Sequence, residues 1–287
     1  MQQVQAAAAA NVPLDAVVAE VLPIPIPQSG TTSDRQDTTQ GGLKIGTTGG
    51  STCSLGFNFT RWGPSQYMMT AGHCTPPIGS VNTGTYVSQP YVYTQEAQEF
   101  GDPPASSSVT GCLSPDLCRN ADATQFWWRF SPQTFGIGLI SAPEPGTASS
   151  TWGVMAGTDA YTYFDIVGEA PDSWLLFGTQ VSKVGYATGL TRGTITQTCV
   201  YYEEYNTNGA AIPCTMMTNY PAASGDSGGA ILYGWPEPQT PPAGTSVYLA
   251  GLSTFGASEI QTSGFSTWSG IVRDFGNLMT YPGKPCC

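Results

Sequence analysis

From Cys53 to Phe59 the chain alternates, with Cys53, Leu55, Phe57 and Phe59 apolar and Ser54, Gly56 and Asn58 between them. A period of two is the mark of a β-strand with one buried face. Further short apolar runs follow at Tyr67–Thr70, Ala123–Phe130 (with Trp127 and Trp128), Thr194–Tyr202, Ala230–Tyr233 and Ser246–Phe255. Each has strand length and is bounded by turn-forming residues. Helical spacing occurs at Leu14, Val17, Val18, Val21 and Leu22, and again near the end at Ile271, Val272, Phe275, Leu278 and Met279. The first of these runs into Pro23-Ile24-Pro25-Ile26-Pro27, an extended and stiff segment, and then a polar stretch to Gly42. The pattern predicts an N-terminal arm or pro-segment remnant over 1–42, an all-β body from residue 43, and one terminal helix. No internal repeat of fixed period is present.

Composition narrows this picture. The 287 residues are enough for one large or two small cores. Charged residues make up only 10%, against 35 glycines and 23 prolines, which favours many short strands over long helices. A net charge of −11 opposes binding to nucleic-acid phosphates and to anionic membrane surfaces. No apolar run approaches the roughly 18 residues that span a bilayer. Eight cysteines beside only nine Lys and Arg indicate an oxidising compartment, hence a secreted protein. Met1–Gln5 carries no positive charge, so the chain is read as starting after a removed signal. The sequon Asn58-Phe59-Thr60 lies inside a strand-like run and is read as coincidence.

The candidate chemistry rests on two segments. The single histidine, His73, stands in Thr70-Ala71-Gly72-His73-Cys74 at the end of a predicted strand, and Gly225-Asp226-Ser227-Gly228-Gly229 follows far downstream. An imidazole is the side chain suited to proton transfer at neutral pH. A serine hydroxyl is a weak nucleophile until such a base removes its proton, and an acid on the second ring nitrogen fixes the tautomer. The glycines around Ser227 permit a tight turn whose amides, those of Gly225 and Ser227, converge as an oxyanion hole. Either segment alone would be an ordinary turn or an ordinary histidine. Their joint occurrence is far more specific.

Residues 41–280 resemble the trypsin/chymotrypsin-like serine proteases, closest in pattern to secreted bacterial enzymes of the streptogrisin and α-lytic type. Besides the two segments above, the resemblance lies in Gly41-Gly42-Leu43-Lys44-Ile45, Cys53-Ser54-Leu55-Gly56-Phe57, Val184-Gly185-Tyr186-Ala187-Thr188-Gly189 with Gly193-Thr194-Ile195, and Ala250-Gly251-Leu252-Ser253-Thr254-Phe255-Gly256. It implies an all-β catalytic domain over 43–287: two packed six-stranded antiparallel Greek-key barrels, at about 43–135 and 176–270, with a C-terminal helix. It also implies a secreted serine endopeptidase, monomeric, acting on protein or peptide substrates without cofactor or metal. The same triad would serve an esterase or acyltransferase, and the same fold a catalytically silent binding module.

Residue roles follow from the resemblance. The order His, Asp, Ser leaves Asp102, Asp116, Asp122, Asp159, Asp165 and Asp172 as candidate acids. Asp122 is favoured because Ala121-Asp122-Ala123 opens an apolar strand in the family's manner. Asp226 is expected to pair with an internal cation, Lys183, with Arg192 as the rival. Expected disulfides are Cys53–Cys74, Cys112–Cys118 and Cys199–Cys214, while Cys286 and Cys287 are left open as a vicinal bridge, free thiols or an interchain link. Ala222, Ala223 and Ser224 stand where many animal relatives carry a cysteine. The primary pocket would lie between Ser253–Gly256 and Asn219–Ala223. Without acid or histidine there, it is expected to take apolar or aromatic side chains, with Pro221 leaving its depth open. Thr254, Phe255 and Gly256 would bind substrate as an added antiparallel strand.

Overall fold

The structure, a computed structural model, describes residues 38–47, 50–60, 66–75, 86–88, 98–101, 118–127, 134–143, 161–203, 211–234, 245–257 and 262–280. The strands are β1 (Thr38–Gly41), β2 (Lys44–Thr47), β3 (Thr52–Ser54), β4 (Phe57–Thr60), β5 (Gln66–Thr70), β6 (Tyr86–Ser88), β7 (Gln98–Gly101) and β8 (Thr124–Trp127). They continue with β9 (Thr134–Pro143), β10 (Tyr161–Glu169), β11 (Gln180–Gly185), β12 (Gly189–Glu203), β13 (Ala211–Thr218), β14 (Ala230–Tyr233), β15 (Thr245–Ala257) and β16 (Thr262–Thr267). The helix α1 (Trp268–Phe275) follows.

The first sheet runs β3-β2-β6-β7-β8-β5-β4, with every neighbour antiparallel. Only Leu55 and Gly56 separate β3 from β4, so the two are halves of one bent strand. One half pairs with β2 and the other with β5, which closes the sheet into a six-stranded barrel. The corner is held by Leu55 N donating to Leu43 O and Gly56 N donating to Met69 O, each at 2.8 Å. The alternation read from Cys53 to Phe59 is therefore one strand serving two ladders.

The second barrel is the closed antiparallel ring β15-β14-β11-β12-β13-β16, with β16 returning to β15. The expected pair of six-stranded barrels and the terminal helix are present. The sequence did not predict the extension of this ring: β10 joins β15 in parallel, β9 is antiparallel to β10, and β1 is parallel to β9. Thr38–Gly41 thus forms a strand, although it falls inside the predicted arm; the rest of that arm, 1–37, lies outside the described residues. Parallel pairing between distant segments leaves no local turn signal, which is why this extension was illegible.

The largest apolar cluster spans both barrels. Phe57, Phe59, Met69 and Ala123 of the first meet Val184, Leu190, Leu232, Leu249 and Leu252 of the second, with Trp268, Ile271 and Phe275 of α1 sealing one end. Each of the Phe, Leu, Ile, Val and Met side chains contributes about 1.5–3 kcal/mol on burial. Thr267 caps α1 by accepting from Gly270 N at 3.2 Å. Among the described residues no helix is long and apolar enough to cross a membrane.

Candidate active site

β5 and β8 are paired with Thr70 opposite Thr124, so the chain leaving β5 lies beside the chain entering β8. His73 sits in a 3-10 turn after β5, and Asp122 stands two residues before β8. This register brings them together: His73 Nδ1 is 2.7 Å from Asp122 Oδ2, and His73 N donates to Asp122 Oδ1 at 2.9 Å. Asp122 is buried while the imidazole keeps 20% of its side chain exposed. In the tautomer with the proton on Nδ1, shared with the carboxylate, the lone pair of the imidazole lies on Nε2.

Asp122 is in turn placed by its neighbours. Its amide donates to Ser266 Oγ at 2.9 Å, and that hydroxyl lies 3.2 Å from Thr254 Oγ1. Just upstream, Asp274 of α1 accepts from Asn120 N and Ala121 N, each at 3.0 Å, and from Asn120 Nδ2 at 2.7 Å. Burial pushes the Asp274 carboxyl above its ordinary pKa, with the hydrogen bonds from Asn120 and Ala121 and the charge of Arg119 acting the other way. Of the other acids weighed, Asp165 lies on β10 and Asp172 in the turn before β11. Asp102, Asp116 and Asp159 lie outside the described residues.

Ser227 occupies a turn just before β14. Gly225 (φ +102°) and Gly228 (φ +80°) hold left-handed conformations there. A side chain on Gly228 would also collide with Thr70 Oγ1 and the backbone of Ala71. Glycine is thus required both for the turn and for the approach of the histidine-bearing segment. The turn is stitched to β15 by Gly228 N to Ser253 O (2.8 Å) and Ser253 N to Gly229 O (2.9 Å). It is stitched to the first barrel by Ser54 N to Ser227 O at 2.8 Å.

Between Gly225 and Ser227, Asp226 points the other way, into the second barrel. Its carboxylate accepts from Ala187 N (3.1 Å), Thr188 N (3.0 Å), Thr188 Oγ1 (2.6 Å) and Ala223 N (2.9 Å). Lys183 Nζ lies 3.0 Å from Oδ2, with both side chains buried. The ammonium also donates to Thr188 Oγ1 at 2.7 Å and Gly189 O at 3.3 Å, so its three protons meet three acceptors. Burial pulls the Lys183 pKa down and Asp226 opposes that shift. The rival cation, Arg192, stands on β12 opposite Ser182.

Cys53–Cys74 and Cys199–Cys214 are disulfides, as expected. Cys118 is also disulfide-bonded, while Cys112, Cys286 and Cys287 lie outside the described residues. Cys53, His73 and Cys74 bring ligand-type atoms within 4.8 Å of one another. With both sulfurs in one disulfide, no thiolate is left to bind a metal there.

The expected substrate strand is the end of β15. Its register partners from Phe255 to Ala257 belong to β16, and among the described residues no strand pairs with its other edge there. Phe255 stacks on Tyr202 at 4.4 Å, and Gly256 lies directly against Ala222. Deeper in, the buried Tyr220 places its hydroxyl 3.2 Å from Gly264 O, to which it donates, and 3.4 Å from Ser253 Oγ. Burial raises its pKa far above the ordinary tyrosine value. Asn219 faces outward and caps Thr194 N at 2.7 Å. Ser54, Ser266, Tyr220 and Asp274 were not identified as site residues from sequence. Each is a polar residue recruited by a distant segment, and spacing along the chain carries no mark of that.

No protein-family model matches the sequence, and neither does any curated protein. Solved structures do match the fold. Thermobifida fusca protease A shares 20% identity over 86% of this chain and 100% of its own, with a TM-score of 0.55. A Nocardiopsis protease shares 23% identity over 85% of this chain and 99% of its own, with a TM-score of 0.54. A glutamic-acid-specific serine protease that uses a histidine triad in substrate binding shares 21% over 85% and 100%, with a TM-score of 0.53. The chain has the chymotrypsin-like fold of these bacterial serine proteases.

Proposed function

We propose that this chain is a secreted serine endopeptidase. Ser227 Oγ attacks the peptide carbonyl carbon as His73 Nε2 takes its proton, and Asp122 holds the imidazole and stabilises its charged form. The amides of Gly225 and Ser227 receive the negative charge that develops on the carbonyl oxygen. The C–N bond then breaks as His73 returns the proton to the leaving amine. Water, activated by the same imidazole, releases the acyl group. Thr254, Phe255 and Gly256 align the substrate as an extra strand, and Lys183 with Asp226 steadies the turn from beneath.

The observation that carries this reading is the 2.7 Å contact between His73 Nδ1 and Asp122 Oδ2, on the barrel whose Ser54 amide also holds the Ser227 carbonyl. The disulfides support an extracellular site of action. The uncharged residues from Asn219 to Ala223 support cleavage after apolar or aromatic side chains. The chain has no second histidine to act in a pocket like that of the glutamate-specific neighbour.

Fluorophosphonate labelling tests the nucleophile: the folded protein should take the label, and Ser227→Ala should not. A folded wild-type chain that stays unlabelled sinks the enzyme reading. Digestion of a peptide library with mass-spectrometric readout tests the pocket, and strong preference for Lys, Arg or Glu would overturn it.

A further inference from the structure

Ser54 is buried, belongs to the first barrel, and directs every polar atom it has at the cleft or its support. Its amide donates to Ser227 O at 2.8 Å. Its hydroxyl donates to Gly225 O at 2.8 Å and accepts from Tyr186 N at 2.9 Å. Its carbonyl accepts from Thr70 Oγ1 at 2.7 Å. One residue thus ties the histidine-bearing strand, the Tyr186 turn and both ends of the Gly225–Ser227 segment.

The carbonyl contacts decide what the segment's amides can do. The peptide between Asp226 and Ser227 carries the Ser227 N–H, and the clasped carbonyls of Gly225 and Ser227 stand on either side of it. A turn built on Gly225, Gly228 and Gly229 has wide backbone freedom, so its amides keep one direction only while their neighbours are anchored. Asp226 anchors it from within the second barrel, and Ser54 anchors it from across the cleft. Because Tyr186 N occupies the Ser54 oxygen, the hydroxyl proton is directed at Gly225 O. The Tyr186 ring lies close against Gly225, and Lys44 Nζ sits 5.2 Å from the ring centroid.

We infer that Ser54 is a positioning residue for the oxyanion-binding amides, a hydroxyl lent by one barrel to orient the nucleophile turn of the other. This rests on the peptidase reading above and extends it to a residue outside the triad. It requires that loss of the hydroxyl weaken the transition state and leave substrate affinity alone.

The test compares Ser54→Ala with the wild type, with Ser54→Gly as a second hydroxyl-free variant and Ser54→Thr to restore a hydroxyl. With a peptide anilide substrate, kcat should fall about 10–100-fold with KM within about twofold. Affinity for a peptide aldehyde, which forms a tetrahedral adduct, should fall by the same factor, and Ser54→Thr should recover part of it. A folded Ser54→Ala with unchanged kcat, or with its loss confined to KM, overturns the inference. Hydrogen exchange of the peptide covering 223–229 should quicken in Ser54→Ala, and an unchanged rate also overturns it. That exchange reports the clasp even in a chain that takes no fluorophosphonate, so failure of the peptidase reading is read separately.

Discussion

Two buried carboxylates, Asp122 beside His73 and Asp226 within the Gly225–Gly229 turn, are held in opposite ways. Asp122 accepts from one backbone amide and faces a partly buried imidazole. Asp226 is sealed among two turns and meets a fully buried ammonium, with four further donors around it. The first arrangement sets a carboxylate against an imidazole, the side-chain type suited to proton transfer at neutral pH. The second sets a carboxylate against a buried cation and four further donors, contacts that hold the backbone of the turn. Residue type is the same; what differs is the partner, an imidazole in one case and a buried ammonium in the other.

Removing the titrating partner should have the largest effect. His73→Ala is expected to lower kcat by about 10⁶-fold with folding intact, since no other imidazole exists in the chain to substitute. Asp122→Asn should lower kcat by about 10⁴-fold, through the wrong tautomer, with a melting temperature near that of the wild type. A stability loss in place of a rate loss would erase the contrast between the carboxylates.

On the other side, Lys183→Met strands Asp226 without its cation and should cost about 3–5 kcal/mol in denaturant unfolding. Adding Asp226→Asn to it should cost less than the two single changes summed, the sign of a coupled pair. Lys183→Met with full stability and full activity would make the pair unimportant.

The smallest effect belongs to Asp274, which holds the backbone leading into Asp122. Its folded-state pKa lies above the ordinary 3.8, so across that window the folded chain binds the proton more tightly than the unfolded chain. Its contribution to stability is therefore greatest below 3.8 and falls as pH rises through the raised value. Asp274→Asn should remove that slope from a series of melting temperatures against pH.

What could be read along the chain was local. The alternation at Cys53–Phe59 and the run Ala230–Tyr233 became strands, and Ile271, Val272 and Phe275 became helix, because period is a property of neighbouring residues. Leu278 and Met279, predicted to continue that helix, lie past its end at Phe275, where Met279 bridges to Thr60. His73 and Ser227 announced themselves in the same way, within short glycine-containing segments whose turn chemistry is written in adjacent positions. Asp122 could only be favoured among six acids. What selects it is the pairing of Thr70 with Thr124, a contact between strands far apart in the chain. Lys183 over Arg192 was decided likewise: β-strand alternation sends the two cations to different faces, and only closure of the barrel shows which face meets Asp226.

Composition, strand periodicity and the two glycine-bordered segments were enough to read an all-β chain and to single out His73 and Ser227 as candidates, since each depends on residues within a few positions of one another. The tertiary structure alone decided that Asp122 reaches His73, that Lys183 lies under the turn, and that Ser54 clasps it from the opposite barrel. Those choices depend on strand register and on the docking of two barrels. Hydrogen bonds that cross such an interface are set by where distant backbones come to rest.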